Sequence, residues 1–127
     1  MPGLDVITLL AVAEYLVLGV MVGQARGRYG VAAPATTGDP TFERYFRAHQ
    51  NTLEQLVIFI PSLWIFALWV SFWAAVILGL AYVAARAEYA RGYIRAPEQR
   101  AIGAQVSMAI NAILLIGGLI STFIHAL

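Results

Sequence analysis

Residues 43–61 read ERYFRAHQNTLEQLVIFIP, a run that opens charged, closes apolar and keeps helical spacing throughout. Arg47, Asn51 and Glu54 fall at i, i+4 and i+7, so one face of one helix carries a cation, an amide and a carboxylate. From Leu56 onward the same helix reads as a membrane span. The three polar groups therefore reach the edge of a bilayer, where each is costly to keep without a partner. His49, two residues beyond Arg47, points to nearly the opposite side, so the helix can present polar groups to two different neighbours.

Composition extends this reading to the whole chain. Its 127 residues suit one domain. Hydrophobic residues make up 61% and charged residues 12%, with a mean hydropathy of +0.75. Those values speak against an ordinary soluble fold and for an all-α integral membrane protein. Lysine is absent, and the eight basic residues are arginines at 26, 28, 44, 47, 86, 91, 95 and 100. Four spans would place them all at one membrane face, which predicts cytoplasmic 1–2 and 3–4 connections and both ends on the other side. Without cysteine there is no disulfide or thiolate metal site, and any thiol chemistry must use a thiol that a ligand brings. No metal-ligand cluster, phosphate loop, internal repeat or nucleophile–base triad is legible, and nothing points to nucleic acid. MPGLDV lacks a basic n-region, so the first apolar run is expected to be a retained span.

The expected helices cover about 4–25, 40–69, 73–94 and 97–125. Each is long enough to cross a hydrocarbon core of ~30 Å at ~1.5 Å per residue. The first contains one charge, Glu14, read either as a carboxyl bonded to a neighbouring helix or as the coupling group of a small proton-driven exporter. The loop 26–41 is broken by Gly27, Gly30, Pro34, Gly38 and Pro40. Asp39 before Pro40 has the chemistry of an N-cap followed by proline at N1. Trp64, Trp69, Phe72 and Trp73 suggest an aromatic belt at the far interface. On the third helix Tyr82, Arg86, Tyr89 and Tyr93 fall at i, i+4, i+7 and i+11, one stripe of phenols and a guanidinium. Interfacial snorkelling would also explain that stripe. Pro97 and Glu98 suit the first turn of the last helix, with Arg100 in the same turn.

Together these groups describe a receptor for a small zwitterion with more than one carboxylate. Arginines would hold the carboxylates, Glu54 an ammonium, and the tyrosines would supply neutral donors. Arg100 at a helix N-terminus could also stabilise a thiolate.

PATTGDPTFERYFRAHQNTLE at 34–54 and YVAARAEYARGYIRAPEQR at 82–100 resemble the MAPEG family, the membrane-associated proteins of eicosanoid and glutathione metabolism. The resemblance runs nearly end to end and is to the branch holding the leukotriene-forming synthase and some microsomal glutathione transferases. It implies a four-transmembrane-helix bundle assembled as a homotrimer, with glutathione as co-substrate between adjacent subunits at the cytoplasmic side. Arg47, Asn51, Glu54, Arg86, Tyr89 and Tyr93 match the family's glutathione-binding positions. Arg26 and His49 match positions supplied by the neighbouring subunit, and Arg100 matches the arginine credited with activating the thiol. His49 stands where the synthase has a glutamine, Gln55 where it has a tyrosine, and Gly27 where it has a second arginine.

The resemblance implies a membrane glutathione transferase that conjugates glutathione to lipophilic electrophiles entering from the bilayer, a detoxification reaction, with lipid hydroperoxide reduction as an accompanying activity. Gly27 favours a general electrophile over an eicosanoid-like lipid epoxide. The location would be a bacterial inner membrane or the endoplasmic reticulum. A non-catalytic lipid-binding scaffold of the same fold is the alternative, with the Glu14 exporter behind it.

Overall fold

The computed structural model describes residues 1–127, the side chain of Pro97 aside. Four helices follow one another: α1 Pro2–Tyr29, α2 Pro40–Trp69, α3 Phe72–Arg95 and α4 Ala101–Ala126, with a 3-10 turn over Pro97–Arg100 before the last. All four are long and apolar enough to cross a membrane, and no strand occurs among the described residues. Large apolar side chains such as Leu9, Leu68, Trp73, Ile102 and Phe123 stand exposed on the outer faces. A continuous apolar exterior of this kind suits hydrocarbon rather than water.

Local chemistry sets the helix ends. Asp39 Oδ1 accepts from the backbone N–H of Thr41 and of Phe42, both at 2.9 Å, so the N-cap expected from Asp39–Pro40 is present. Ser71 caps α3 in the same way, its Oγ accepting from Ala74 N at 3.1 Å. At the opposite end of α3, Arg44 of α2 donates to Arg95 O at 3.1 Å and Ile94 O at 3.4 Å, placing a cation on the last carbonyls of the helix. α1 runs four residues past its expected end at Ala25, because Gly27 is accommodated within the helix and the stop falls at Gly30 in the left-handed region, φ 71°. Arg26 and Arg28 therefore belong to a helix and not to a loop. The first turn expected for the last helix is instead the 3-10 turn, which leaves Arg100 at the N-cap position of α4.

α2 is the centre of the bundle. It packs against α1, α3 and α4, whereas α1 meets α3 over a smaller area. The core holds Leu4, Ile7, Leu56, Phe59, Leu63, Tyr82 and Leu114, and the Phe59 and Tyr82 rings stack with centroids 3.7 Å apart. Trp64 turns inward, away from the expected aromatic belt, and donates from Nε1 to Thr8 Oγ1 at 2.9 Å. Trp69 and Trp73 do face outward. The Asn111 amide of α4 donates to Gln55 Oε1 at 3.0 Å, a polar cross-link between α2 and α4 inside apolar spans.

Two glycines let backbones touch at the arginine-rich end. A Cβ on Gly103 would lie 2.6 Å from Tyr89 N and 2.8 Å from Ala85 O, and one on Gly92 would lie 2.5 Å from Gln99 O. Small residues at such contacts are the usual means of close helix approach in membranes. Gly103→Ala is expected to push α4 off α3 and destabilise the fold by about 1–3 kcal/mol, the cost of overpacking a tight contact. Thermal unfolding in detergent checks this, and an unchanged midpoint would mean that the two helices are less tightly seated.

Candidate functional site

Between α2, α3 and the start of α4 lies a cavity of about 280 Å³, lined by Arg47, Gln50, Asn51, Glu54, Tyr89, Tyr93 and Arg100. Arg47, Asn51 and Glu54 reach it from one face of α2, as their spacing requires. Tyr89 and Tyr93 come from α3, one helical turn apart, with ring centroids 5.7 Å from each other. Arg100 arrives from the 3-10 turn, its guanidinium carbon 5.3 Å from the Tyr93 ring centre. The described ion pairs are Met1–Asp5 and Glu88–Arg91, so Arg47, Glu54 and Arg100 line the cavity outside any such pair.

Arg86 stands behind this cavity. It is only 3% exposed. Its guanidinium donates to Asn51 Oδ1 at 2.9 Å, Thr52 Oγ1 at 3.1 Å and Ser107 Oγ at 3.4 Å, and it lies 4.0 Å from the centre of the Tyr89 ring. One buried cation thus ties α2, α3 and α4 together. Charge-assisted hydrogen bonds and an aromatic face compensate it, with no carboxylate within ion-pair distance. Asn51 and Tyr89, both lining the cavity, are held from behind by this one side chain. Snorkelling at the interface is thereby ruled out for the Tyr82, Arg86, Tyr89 and Tyr93 stripe, since all four are buried.

The remaining candidates lie elsewhere. Arg26 donates to Ala35 O at 2.7 Å and Val31 O at 3.3 Å, and lies 4.9 Å from the Phe42 ring centre, so it folds the 1–2 loop against α1. His49 stacks on Tyr15 of α1 at 4.3 Å with the ring planes 12° apart. It is on the far side of α2 from Arg47, as the sequence indicated. Gln50 was not singled out in the sequence, although it adjoins Asn51. Thr52 and Ser107 also went unrecognised as supports, their only signal being a hydroxyl inside an apolar span. Among the described residues no group of His, Asp or Glu could hold a metal ion.

A neutral-to-cationic cavity opening among membrane helices, backed by a buried arginine, is one site on a four-span bundle, and residues 5–120 match the MAPEG family. The chain belongs to that family and is an integral membrane protein. The uncharacterized protein sll1147 of Synechocystis is 47% identical over 91% of this chain and 84% of its own length. Human microsomal glutathione S-transferase 2 is 38% identical over 91% of this chain and 78% of its own. Bovine leukotriene C4 synthase is 38% identical over 74% of this chain and 63% of its own.

Proposed function

We propose that the protein is a membrane glutathione transferase that binds glutathione in the cavity between α2, α3 and α4 and conjugates it to lipophilic electrophiles reaching the site from the bilayer. The observation that carries this reading is the charge content of the cavity, two guanidiniums and one carboxylate. Glutathione offers the matching set: two carboxylates, one ammonium and one thiol. Arg47 takes a carboxylate and Glu54 the ammonium, while Asn51 and the two tyrosine hydroxyls orient the peptide. Arg100 faces the thiol. Loss of the thiol proton to solvent leaves a thiolate, the sulfur forms a bond to the electrophilic carbon, and the leaving group departs with its electron pair.

The named relatives include a glutathione transferase and a leukotriene synthase, which supports glutathione as the co-substrate. A Cβ on Gly27 would meet nothing within 4 Å. With no arginine there to assist a lipid epoxide, a general electrophile fits better than a leukotriene precursor. The chain is read as one four-helix domain, 1–127, that forms a homotrimer. Arg26 and His49, which sit apart from the cavity within one chain, would then serve a neighbouring subunit's site. The arginine-rich end is assigned to the cytoplasm by charge bias.

Calorimetric titration of glutathione into the detergent-solubilised protein, beside conjugation of a generic aryl halide, tests the reading. Saturable binding with turnover is expected. Binding without turnover would favour the lipid-binding scaffold, and the absence of both would refute the assignment.

A further inference from the structure

A second cavity, larger than the first, lies between α1 and α3 on the side of the bundle where those helices meet over less area. Its volume is about 510 Å³, within the ~300–1,000 Å³ typical of small-molecule sites. Its walls are almost wholly apolar, with Leu10, Val17, Val83 and Ala87 among them. Four polar residues break this pattern: Glu14 of α1, Thr52 of α2, and Arg86 and Arg91 of α3. The Thr52 hydroxyl is taken by Ala48 O and Arg86, and Arg91 is paired with Glu88 at 2.8 Å, which leaves Glu14 and Arg86 to meet an occupant. Glu14 belongs to neither described ion pair. Of the five N–H groups of the Arg86 guanidinium, three go to Ser107, Asn51 and Thr52. One of the other two, Nε–H, is buried without a partner.

We infer that this groove is a second ligand site, for a single-chain amphiphile with an uncharged head that both donates and accepts a hydrogen bond, such as a long-chain alcohol. The hydrocarbon chain lies along the apolar wall, and the hydroxyl donates to the Glu14 carboxylate and accepts from the Arg86 guanidinium. Charge decides the head group. Glu14 and Arg86 line the same apolar groove from α1 and α3, and the Arg91 charge is met by Glu88, so a neutral head leaves one carboxylate against one guanidinium. A carboxylate or an ammonium would bring an uncompensated charge into the hydrocarbon depth. A purely apolar occupant, including a helix face from another copy of the chain, would leave the carboxylate without a partner. The groove shares Arg86 with the support of the glutathione cavity, but the choice of its occupant does not depend on that assignment.

Photolabelling of the intact protein in detergent tests it. The probe is hexadecanol carrying a diazirine on its chain. The controls are the same chain ending in a carboxylate and the same chain with no head. Labels from the alcohol are expected on groove residues of α1 and α3, removed by excess unlabelled hexadecanol but not by hexadecane. Glu14→Leu should lower this labelling about tenfold, the effect of losing a hydrogen bond to a charged group. Glu14→Gln should turn the preference toward the carboxylate probe, because the Arg86 charge is then unopposed. Labelling of exposed α4 residues such as Phe123 by the headless chain should stay constant and so report an intact fold. Equal groove labelling by the headless chain would overturn the inference. So would unchanged labelling in Glu14→Leu, or protection of the groove from every probe because a second copy fills it.

Discussion

Arg100→Ala should lower conjugation by about tenfold or more while leaving most of the glutathione affinity in place. The guanidinium stands at the N-cap position of α4, where unpaired backbone N–H groups already make the potential positive. A thiol brought to this point is favoured as thiolate by both the guanidinium charge and the helix end. Each unit by which its pKa rises on losing the arginine is worth ~1.4 kcal/mol, or about tenfold in the reactive fraction. The loss should concentrate in kcat because the thiol is a small part of the ligand's contacts. Ultraviolet absorbance of the thiolate, titrated against pH in both proteins, measures the cause directly. A variant that keeps the thiolate signal and full turnover would reduce Arg100 to an interfacial arginine.

The second large effect is expected on binding. Arg47 reaches the cavity from an exposed position on α2 and supplies one of its two positive charges. Arg47→Ala removes a charged hydrogen bond to a ligand carboxylate and should weaken glutathione by about 1.5–3 kcal/mol. Binding should fall while the stability of the fold holds, because Arg47 makes no described hydrogen bond or ion pair within the bundle. The two variants thus separate: one loses rate, the other affinity. Calorimetry giving wild-type affinity for Arg47→Ala would move the carboxylate to another cation, with Arg100 the next candidate.

Much of this site was legible before the fold was known. The spacing of Arg47, Asn51 and Glu54 defined a helical face, and Asp39–Pro40 defined where that helix starts. Both depend only on chemistry within one helix. The parts that were not legible depend on neighbours. Arg86 falls on a stripe with three tyrosines, a pattern equally compatible with a wet interface. Its burial is decided by Thr52 and Ser107, which come from α2 and α4. Trp64 likewise carries the composition of an interfacial belt, but Thr8 of α1 draws its N–H inward. His49 could be assigned a direction from its helix, whereas its partner Tyr15 could not be foreseen. The 3-10 geometry of Pro97–Arg100 was hidden for a related reason. Proline near a helix start is compatible with either helix type, and the close seat of Gln99 on Gly92 is a tertiary contact.

The amide pair of Gln55 and Asn111 bears on how the helices are aligned. One apolar helix can slide along another in a bilayer at little cost, since every vertical offset offers similar contacts. Two amides meet at a single offset. Displacing α4 along α2 by one turn, ~5.4 Å, would strand both in hydrocarbon, where an unmatched polar group costs on the order of several kcal/mol. The pair therefore acts as a vertical register pin. It fixes the depth of α4 about three turns below Arg100, and with it the height at which that guanidinium stands above the membrane core.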